Sequence, residues 1–215
     1  MPSRVSLIVV AAGRGARLGA ATPKQYRTCA GRPLICHALE ALAAARSYCA
    51  ATIVIHPDDR ARYSSALAFL SPTAATAFGP PALGGDSRQQ SVRAGLEAQV
   101  DAAPEIVLIH DAARVFPSAE LIERAVAAAE RFGAAAPGAP LSDTVKQIDA
   151  EGRVVANPDR ALLRAAQTPQ AFRFPVILDA HRRAAAAGID GLTTTRRSPP
   201  GRGMRPMSST ATRRT

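Results

Sequence analysis

Aromatic residues are scarce in this sequence. Its 215 residues include no tryptophan, and phenylalanine and tyrosine together make up 4%. This composition argues against a protein that stacks nucleic-acid bases on aromatic platforms. With 47% hydrophobic and 20% charged residues, the chain has the composition of a folded protein and not of a disordered one. Its length fits one domain with at most an appendage.

Cysteine and histidine are also few and scattered. The three cysteines, Cys29, Cys36 and Cys49, have no C-x-x-C spacing, and the four histidines have no metal-ligand spacing. A disulfide framework or a zinc site is therefore not indicated, and we expect a reducing, cytoplasmic location. No uninterrupted apolar run approaches the ~20 residues of a membrane-spanning helix, so we expect no membrane partner.

Acidic residues are absent from position 193 onward. Residues 193–215 contain six arginines and carry +6 of the formal charge of +10, which leaves only +4 for residues 1–192. This segment has no hydrophobic periodicity, so we predict a domain over residues 1–193 and a disordered basic tail over 194–215. Because the excess charge is confined to that tail, a nucleic-acid partner is not favoured.

Apolar runs alternate with helical patterns along the first two thirds of the chain. Residues 5–12, 51–55 and 105–110 read as buried strands. Helices are predicted to begin near Pro33, Pro57, Ser87, Ser118 and Pro175. This alternation predicts an α/β fold with a Rossmann-like, doubly wound, mostly parallel sheet, and ligands at the carboxyl ends of its strands.

Residues 140–170 break this alternation. Two short apolar runs, 144–148 and 153–156, flank a four-residue turn signal at 149–152, which predicts a small antiparallel arm. A two-stranded arm is marginal in water by itself. A second subunit is therefore one candidate for the surface on which it packs.

A glycine-rich segment follows the first predicted strand. Glycines let backbone N–H groups approach phosphate oxygens, and nearby cations bring positive charge to the same anion, so the segment has the outline of a phosphate site. Neither a Walker loop nor a dinucleotide-binding fingerprint fits its spacing. The residues concerned are Ala11, Ala12, Gly13 and Gly15, with Arg17 and Lys24 as the cations.

Together with four later motifs, this segment resembles the 2-C-methyl-D-erythritol 4-phosphate cytidylyltransferase family. The resemblance runs in order from about residue 5 to 193, and five ordered motifs are far more specific than any one of them. The later motifs are Gly84-Gly-Asp-Ser-Arg-Gln-Gln-Ser-Val92, His110-Asp-Ala-Ala-Arg114, Asp143-Thr-Val-Lys146 and Gln167-Thr-Pro-Gln170.

The resemblance implies transfer of CMP from CTP to methylerythritol phosphate, with release of pyrophosphate, in non-mevalonate isoprenoid precursor biosynthesis. It implies a homodimer that uses CTP and a sugar or polyol phosphate, and Mg²⁺ bound mainly through the triphosphate. Arg17 and Lys24 would stabilise charge on the α-phosphate during transfer. Asp111 ends a buried strand, where its carboxylate can reach a metal or a ligand hydroxyl, although a helix N-cap is its alternative role.

The other site residues also come from the resemblance. Taken alone, Ser91 fits an ordinary helix residue and Arg160 a solvated charge. For nucleotide binding the resemblance implies Ala11, Ala12, Gly13, Gly15, Gly85, Asp86, Ser91 and Asp111. For the acceptor it implies Arg114, Thr144, Arg160 and Thr193, with Thr144 and Arg160 contributed by the partner's arm.

The resemblance stops at Thr193, where the family would continue with an acidic pair and an alanine-rich helix. If Thr-Asp-Asp-Ala-Ala-Leu were encoded ACC GAC GAC GCG GCG CTC, loss of one G would give Thr-Thr-Thr-Arg-Arg-Ser, the residues at 193–198. We therefore hypothesise an out-of-frame tail, from a frameshift or a sequencing error. Two other functions stay open: a cytidylyltransferase for another polyol phosphate, such as ribitol 5-phosphate, and an inactive binding or dimerising remnant.

Overall fold

The computed structural model describes residues 3–14, 22–190 and 206–208. In chain order, its strands and helices are β1 (Val5–Ala11), β2 (Thr28–Cys29), β3 (Arg32–Pro33), α1 (Leu34–Ala45), β4 (Ala50–Ile55), α2 (Arg60–Leu67), α3 (Pro72–Ala77), β5 (Ala82–Leu83), α4 (Arg88–Glu97), β6 (Ile106–Asp111), α5 (Ala119–Phe132), β7 (Ala134–Pro140), β8 (Gln147–Ile148), β9 (Val154–Ala156), β10 (Arg164–Ala166), β11 (Gln170–Arg173), α6 (Phe174–Ala186) and β12 (Pro206–Ser208).

The main sheet has the order β10-β7-β11-β6-β1-β4-β5, and β12 also pairs with β7. β1 is parallel to both β4 and β6, and β4 is parallel to β5. β11 runs antiparallel to β6 and β7. The three predicted strands are therefore present and adjacent, and the expected mostly parallel α/β sheet is confirmed.

Helices cover both faces of this sheet. On one face, Leu39 and Ile122 of α1 and α5 belong to a core cluster that also contains Leu7 of β1. On the other, Leu96 and Ile177 of α4 and α6 pack in a second cluster with Ile8. Because neighbouring residues of β1 point to opposite faces and both are fully buried, the apolar run of this strand has no polar alternation.

The helix starts follow the capping signals in the sequence. The Ser87 and Ser118 hydroxyls accept hydrogen bonds from Gln90 N and Leu121 N, at the first turns of α4 and α5. Each thus satisfies a backbone donor that the helix leaves unpaired. The helix predicted at Pro57 begins as a short 3-10 turn, Pro57–Asp59, and continues as α2.

The predicted antiparallel arm is present but shorter than its sequence pattern. β8 pairs antiparallel with β9, and Thr144 lies before β8 begins. The turn between them is held by Asp149, whose carboxylate accepts hydrogen bonds from Glu151 N and Arg153 N, while Gly152 adopts a φ of 81°. Three of the arm's apolar side chains, Ile148, Val154 and Val155, are more than half exposed.

Seven of the described strands were not predicted, namely β2, β3, β5, β7, β10, β11 and β12. β7 has the sequence Ala-Ala-Ala-Pro-Gly-Ala-Pro, which carries no β-branched residue and so lacks a strand signal. Its small side chains allow close approach, since a Cβ at Gly138 would lie 2.9 Å from Arg164 Cβ in β10. β7 is held in the sheet by pairing with β10, β11 and β12.

Residues 206–208 of the predicted tail form a strand parallel to β7. The other residues from 191 onward lie outside the described residues, so for them the disordered tail stays a prediction. Within the described ranges, no helix is long and apolar enough to cross a membrane.

Gly95 of α4 packs against Ile8 of β1 and Val54 of β4. A Cβ at this position would lie 2.7 Å from Ile8 Cγ2 and 3.0 Å from Val54 Cγ2. We expect Gly95→Ala to lower the free energy of unfolding by about 1–2 kcal/mol, because overpacking outweighs the gain in helix propensity. Gly79→Ala is the control, since the nearest atom there is 3.8 Å away. Chemical denaturation measures both variants, and a Gly95→Ala protein as stable as wild type would contradict the expected overpacking.

Candidate active site

The predicted nucleotide-binding segments meet at the carboxyl ends of β1, β4 and β6. In register, Ala11 pairs with Ile55 of β4, and Val10 pairs with Asp111 of β6. The amide of Gly84 donates to Ile55 O at 2.8 Å. A Cβ at Gly84 would lie only 2.5 Å from the Ala12 Cβ, so the first and second sequence motifs are in direct contact.

The two ends of the glycine-rich segment are joined by Gln25. Its buried side chain donates through Nε2 to Ala11 O at 2.5 Å and to Gly13 O at 3.1 Å. These bonds span the segment that begins after β1 and ends at Lys24. The backbone on either side of the predicted phosphate site is therefore held together by one amide.

A buried carboxylate fixes the start of the same segment. Asp59 is fully buried and accepts hydrogen bonds through Oδ1 from Arg14 at 3.1 Å and from Arg62 at 2.8 Å. Burial, together with the negative charge of Asp59, raises the pKa of the Tyr26 hydroxyl far above its ordinary value. Two guanidinium groups compensate the buried charge, as a buried carboxylate requires.

Lys24 is exposed and opens a short 3-10 helix, Lys24–Tyr26. Its ammonium group makes no hydrogen bond or ion pair with any residue in the described ranges. Its position beside the joined ends of the glycine-rich segment suits the expected role toward an anion. Gly15 and Arg17 lie outside the described residues, so their expected roles stay predictions.

Asp111 lies between two arginines. Arg88 Nε and Nη2 both approach Asp111 Oδ1, at 3.0 and 2.9 Å, and Arg114 Nε lies 3.5 Å from Oδ2. The carboxylate is about one-third exposed, so it is held in place yet reachable by a ligand. Asp111 is not the N-cap of α5, which is Ser118, and its role as a site carboxylate stays a prediction.

Thr168, in the Gln167–Gln170 motif, contacts both Asp111 and its neighbour His110. Thr168 Oγ1 accepts a hydrogen bond from Asp111 N at 3.2 Å and lies 3.2 Å from His110 Nδ1. His110 Nε2 lies 2.8 Å from Arg114 O, a carbonyl that can only accept. His110 Nε2 therefore carries a proton, and in the neutral ring Nδ1 accepts a hydrogen bond from the Thr168 hydroxyl. Burial lowers the pKa of His110 below its ordinary value.

Arg114 faces an open cavity of about 370 Å³ beside this network. Its guanidinium donates to the side chain of Gln167, and Phe116 lines the same cavity with its ring largely exposed. Besides several apolar side chains, the cavity presents one arginine together with amide and hydroxyl groups. These are suitable neighbours for a small phosphorylated polyol.

The turn at residues 84–87 carries the predicted nucleotide residues Gly85 and Asp86. Asp86 is exposed, and its amide donates to Gln90 Oε1 at 2.9 Å. Ser91 is buried beneath the turn, with Oγ 3.0 Å from Ser87 O and 3.4 Å from Gly85 O. Its hydroxyl proton is used within the protein, so Ser91 holds the turn from inside.

The predicted acceptor residues Thr144 and Arg160 both lie within residues 140–170, the predicted arm. Arg160 is exposed and donates to Ser142 O at 2.6 Å, and Thr144 is exposed in the arm. In the described part of the chain, neither makes a hydrogen bond or ion pair with Arg114 or Asp111. A single subunit thus does not join them to the site, and Thr193 lies outside the described residues.

The residues present fit a magnesium ion only as a companion of a phosphate ligand. Within the described ranges, no group of three His, Cys, Asp or Glu side chains could hold a metal. Mg²⁺ is commonly bound by one or two carboxylates together with substrate phosphates. Asp111 provides one such carboxylate.

Sequence reasoning did not select Gln25, Arg88 or Thr168 as site residues. All three stand inside or next to the recognised motifs, so motif membership was the signal that could have found them. Their contacts are with Ala11, Asp111 and His110, and only the sheet brings these partners together.

Comparison with known proteins shows the family of this chain. Residues 5–195 match the family model described as 2-C-methyl-D-erythritol 4-phosphate cytidylyltransferase. The chain belongs to this family. A "Bifunctional enzyme IspD/IspF" of Rhodopseudomonas palustris (strain HaA2) is 57% identical over 192 residues, which are 89% of this chain and 46% of that protein. The chain thus spans about half the length of the curated relatives it matches.

Two solved structures have the same fold. The 4-diphosphocytidyl-2C-methyl-D-erythritol synthase of Anaerococcus prevotii DSM 20548 is 26% identical, with a TM-score of 0.74. The 2-C-methyl-D-erythritol 4-phosphate cytidylyltransferase of Thermus thermophilus is 32% identical, with a TM-score of 0.64. In each comparison the match covers 89% of this chain and 81% of the other. The Rossmann-like fold expected for this cytidylyltransferase family is confirmed.

We expect the two buried histidines of this family member to make its stability depend on pH. The pKa values of His110 and His181 are lowered mainly by burial, so below about pH 6.5 the unfolded chain binds protons that the folded chain does not. We expect the free energy of unfolding to fall as the pH decreases from about 7.5 to about 5.5. His110→Asn should flatten this dependence.

Denaturant unfolding at several pH values measures the effect, and NMR titration of the His110 ring in the wild-type protein provides an independent check. A ring that titrates at or above the ordinary value would contradict the assigned neutral state.

Proposed function

We propose that this chain is a cytidylyltransferase. It transfers CMP from CTP to 2-C-methyl-D-erythritol 4-phosphate, forming 4-diphosphocytidyl-2-C-methyl-D-erythritol and pyrophosphate for isoprenoid precursor synthesis. The observation that carries the proposal is the convergence of four of the five motifs at one sheet edge, where Gly84 lies against Ala12, and Asp111 contacts Arg88 and Thr168. The family match over residues 5–195 favours this acceptor over ribitol 5-phosphate.

The reaction needs no general base. A phosphate monoester is largely dianionic near neutral pH, so its oxygen can attack the α-phosphorus of CTP directly. One P–O bond forms to the acceptor phosphate, and the bond between the α-phosphorus and the oxygen bridging to the β-phosphorus breaks. Pyrophosphate leaves with that bonding pair. Positioning and charge neutralisation therefore account for catalysis.

In the proposed site, one set of residues binds the nucleotide and another binds the acceptor phosphate. Lys24, with Arg17, stabilises the negative charge that develops at the α-phosphate. The turn that contains Gly85 and Asp86 receives the base, and Ala11, Ala12, Gly13 and Gly15 offer backbone groups to the triphosphate. Arg114 binds the acceptor phosphate beside the cavity, with Thr193 completing the acceptor site.

Mg²⁺ is the proposed cofactor. It would be held by the triphosphate oxygens and by Asp111, and it would neutralise phosphate charge. Because Arg88 and Arg114 both contact Asp111, they keep its carboxylate at the edge of β6, in reach of a metal that arrives with the nucleotide.

Pyrophosphate release by the purified chain tests the proposal. We expect release that depends on CTP, on Mg²⁺ and on methylerythritol phosphate, with ribitol 5-phosphate a poorer acceptor. Equal use of ribitol phosphate would overturn the assignment of the acceptor. Absence of release in this 215-residue chain would support the inactive binding or dimerising remnant instead.

We expect Lys24→Ala to lower turnover by about 10²-fold or more, because loss of one preorganised donor to the transition state costs on the order of 3 kcal/mol. Arg17→Ala should have a similar effect. Arg183→Ala is the matched control, since its largely exposed guanidinium pairs with Asp179 on α6. Steady-state kinetics and thermal unfolding separate lost activity from lost folding. Near-wild-type turnover for Lys24→Ala would remove its assigned role.

We further propose a homodimer in which the arm of one subunit completes the acceptor site of the other. Two observations support this arrangement. The apolar side chains of Ile148, Val154 and Val155 are more than half exposed in the single chain, and a second subunit would bury them. Thr144 and Arg160 make no described contact with their own subunit's Asp111 or Arg114, so they are available to a neighbouring site.

Mixing two inactive variants tests this shared site. In a heterodimer of Lys24→Ala and Arg160→Ala subunits, one pocket carries both lesions and the other carries neither. With random exchange at equal concentrations, we expect about a quarter of all pockets to be intact, given twofold symmetry. Pyrophosphate release should recover accordingly once subunit exchange is verified by mass. No recovery would mean that Arg160 serves its own subunit.

A further inference from the structure

The loop that follows α6 is tied to the turn at residues 84–87. Asp190 Oδ1 accepts a hydrogen bond from Ser87 Oγ at 2.6 Å, and its Oδ2 accepts one from Gln90 Nε2 at 3.1 Å. Beside them, Gln89 Nε2 donates to Ile189 O at 2.8 Å. Residues about 100 positions apart in the sequence thus share one hydrogen-bonded cluster.

The Gln90 side chain, which contacts Asp190, also contacts the turn. Its Oε1 accepts a hydrogen bond from Asp86 N at 2.9 Å. The same oxygen lies over Gly85, where a Cβ would come within 2.3 Å of it. The Gln90 side chain therefore bridges Asp190 and the backbone of the two turn residues expected at the nucleotide.

The chemistry of the groups fixes the direction of this bridge. The Asp86 N–H can only donate, so it must face the amide oxygen of Gln90. The Asp190 carboxylate can only accept, so it must face the amide nitrogen. Hydrogen bonds to an ionised carboxylate are stronger than those between neutral groups. Asp190 thereby orients both Gln90 and the Ser87 hydroxyl that caps α4.

We propose that Asp190 is a positioning residue, which holds the 84–87 turn in the shape that receives the base of the nucleotide. This inference rests on the proposed function, because it takes the turn as the base-binding element. It adds to that function a residue about 100 positions later in the sequence than the turn. This residue acts through Gln90 and Ser87 and does not contact the reacting atoms.

A side-chain exchange tests the bridge. Asp190→Asn places an amide nitrogen opposite the amide nitrogen of Gln90, and Gln90→Glu places two carboxylates opposite each other. In the double variant that combines Gln90→Glu with Asp190→Asn, one oxygen of the new carboxylate at position 90 accepts from Asp86 N. The other accepts from the new amide at position 190, so all three side-chain contacts can form again.

Two measurements follow the four proteins: CTP affinity by calorimetry, and hydrogen exchange of the Asp86 amide by NMR in the nucleotide-free state. We expect each single variant to weaken CTP binding by about 10-fold, equivalent to loss of one charge-assisted hydrogen bond. Asp86 exchange should become faster in both, and the double variant should restore both properties. Asp179→Asn, at an exposed i,i+4 ion pair of α6, is the matched control and should change neither.

Each outcome decides the inference. Wild-type Asp86 exchange and CTP affinity in Asp190→Asn would overturn it, as would a double variant no better than the single variants. Faster exchange with unchanged CTP affinity would leave the contact structural and would also overturn the positioning role. If the wild-type chain binds no CTP, the proposed function itself fails, and the role toward a nucleotide fails with it.

Discussion

The parallel pairing of β1 with β4 and β6 is the constraint on which the rest of the site depends. All three strands are almost fully buried, so their backbone groups must pair with one another. Parallel pairing brings their carboxyl ends to one edge, with Ala11 beside Ile55 and Val10 beside Asp111. Segments about 45 and 100 residues apart along the chain thereby become neighbours.

The ion pairs at this edge of the sheet position side chains more than they stabilise the fold. The ion pairs of Asp111 with Arg88 and Arg114 are partly exposed, and such pairs contribute little to the free energy of folding. What they do is hold one carboxylate between two cations at the end of β6. Asp59 differs because it is fully buried, and its pairing with Arg14 and Arg62 anchors the backbone where the glycine-rich segment begins.

The strands and helices that the sequence predicted correctly are marked by local sequence patterns. β1, β4 and β6 are continuous apolar runs, α4 and α5 begin at serine caps, and the arm has a turn that ends in Gly152. β7 was missed because alanine, proline and glycine give no local preference for a strand. Its pairing comes from distant partners, as in the bond from Gln167 N to Pro137 O. Likewise, nothing beside Asp190 in the sequence marks it as a partner of Ser87.

The sequence by itself determined the family and the fold class and predicted the candidate site residues, because ordered motifs and hydrophobic periodicity are local properties of the chain. Only the tertiary structure decided which groups touch: Gln25 with Ala11 and Gly13, Arg88 with Asp111, Thr168 with His110, and Asp190 with Gln90. These contacts depend on strand register and on the approach of helices to the sheet. Both are set by packing between residues far apart in the chain, and no local pattern encodes them.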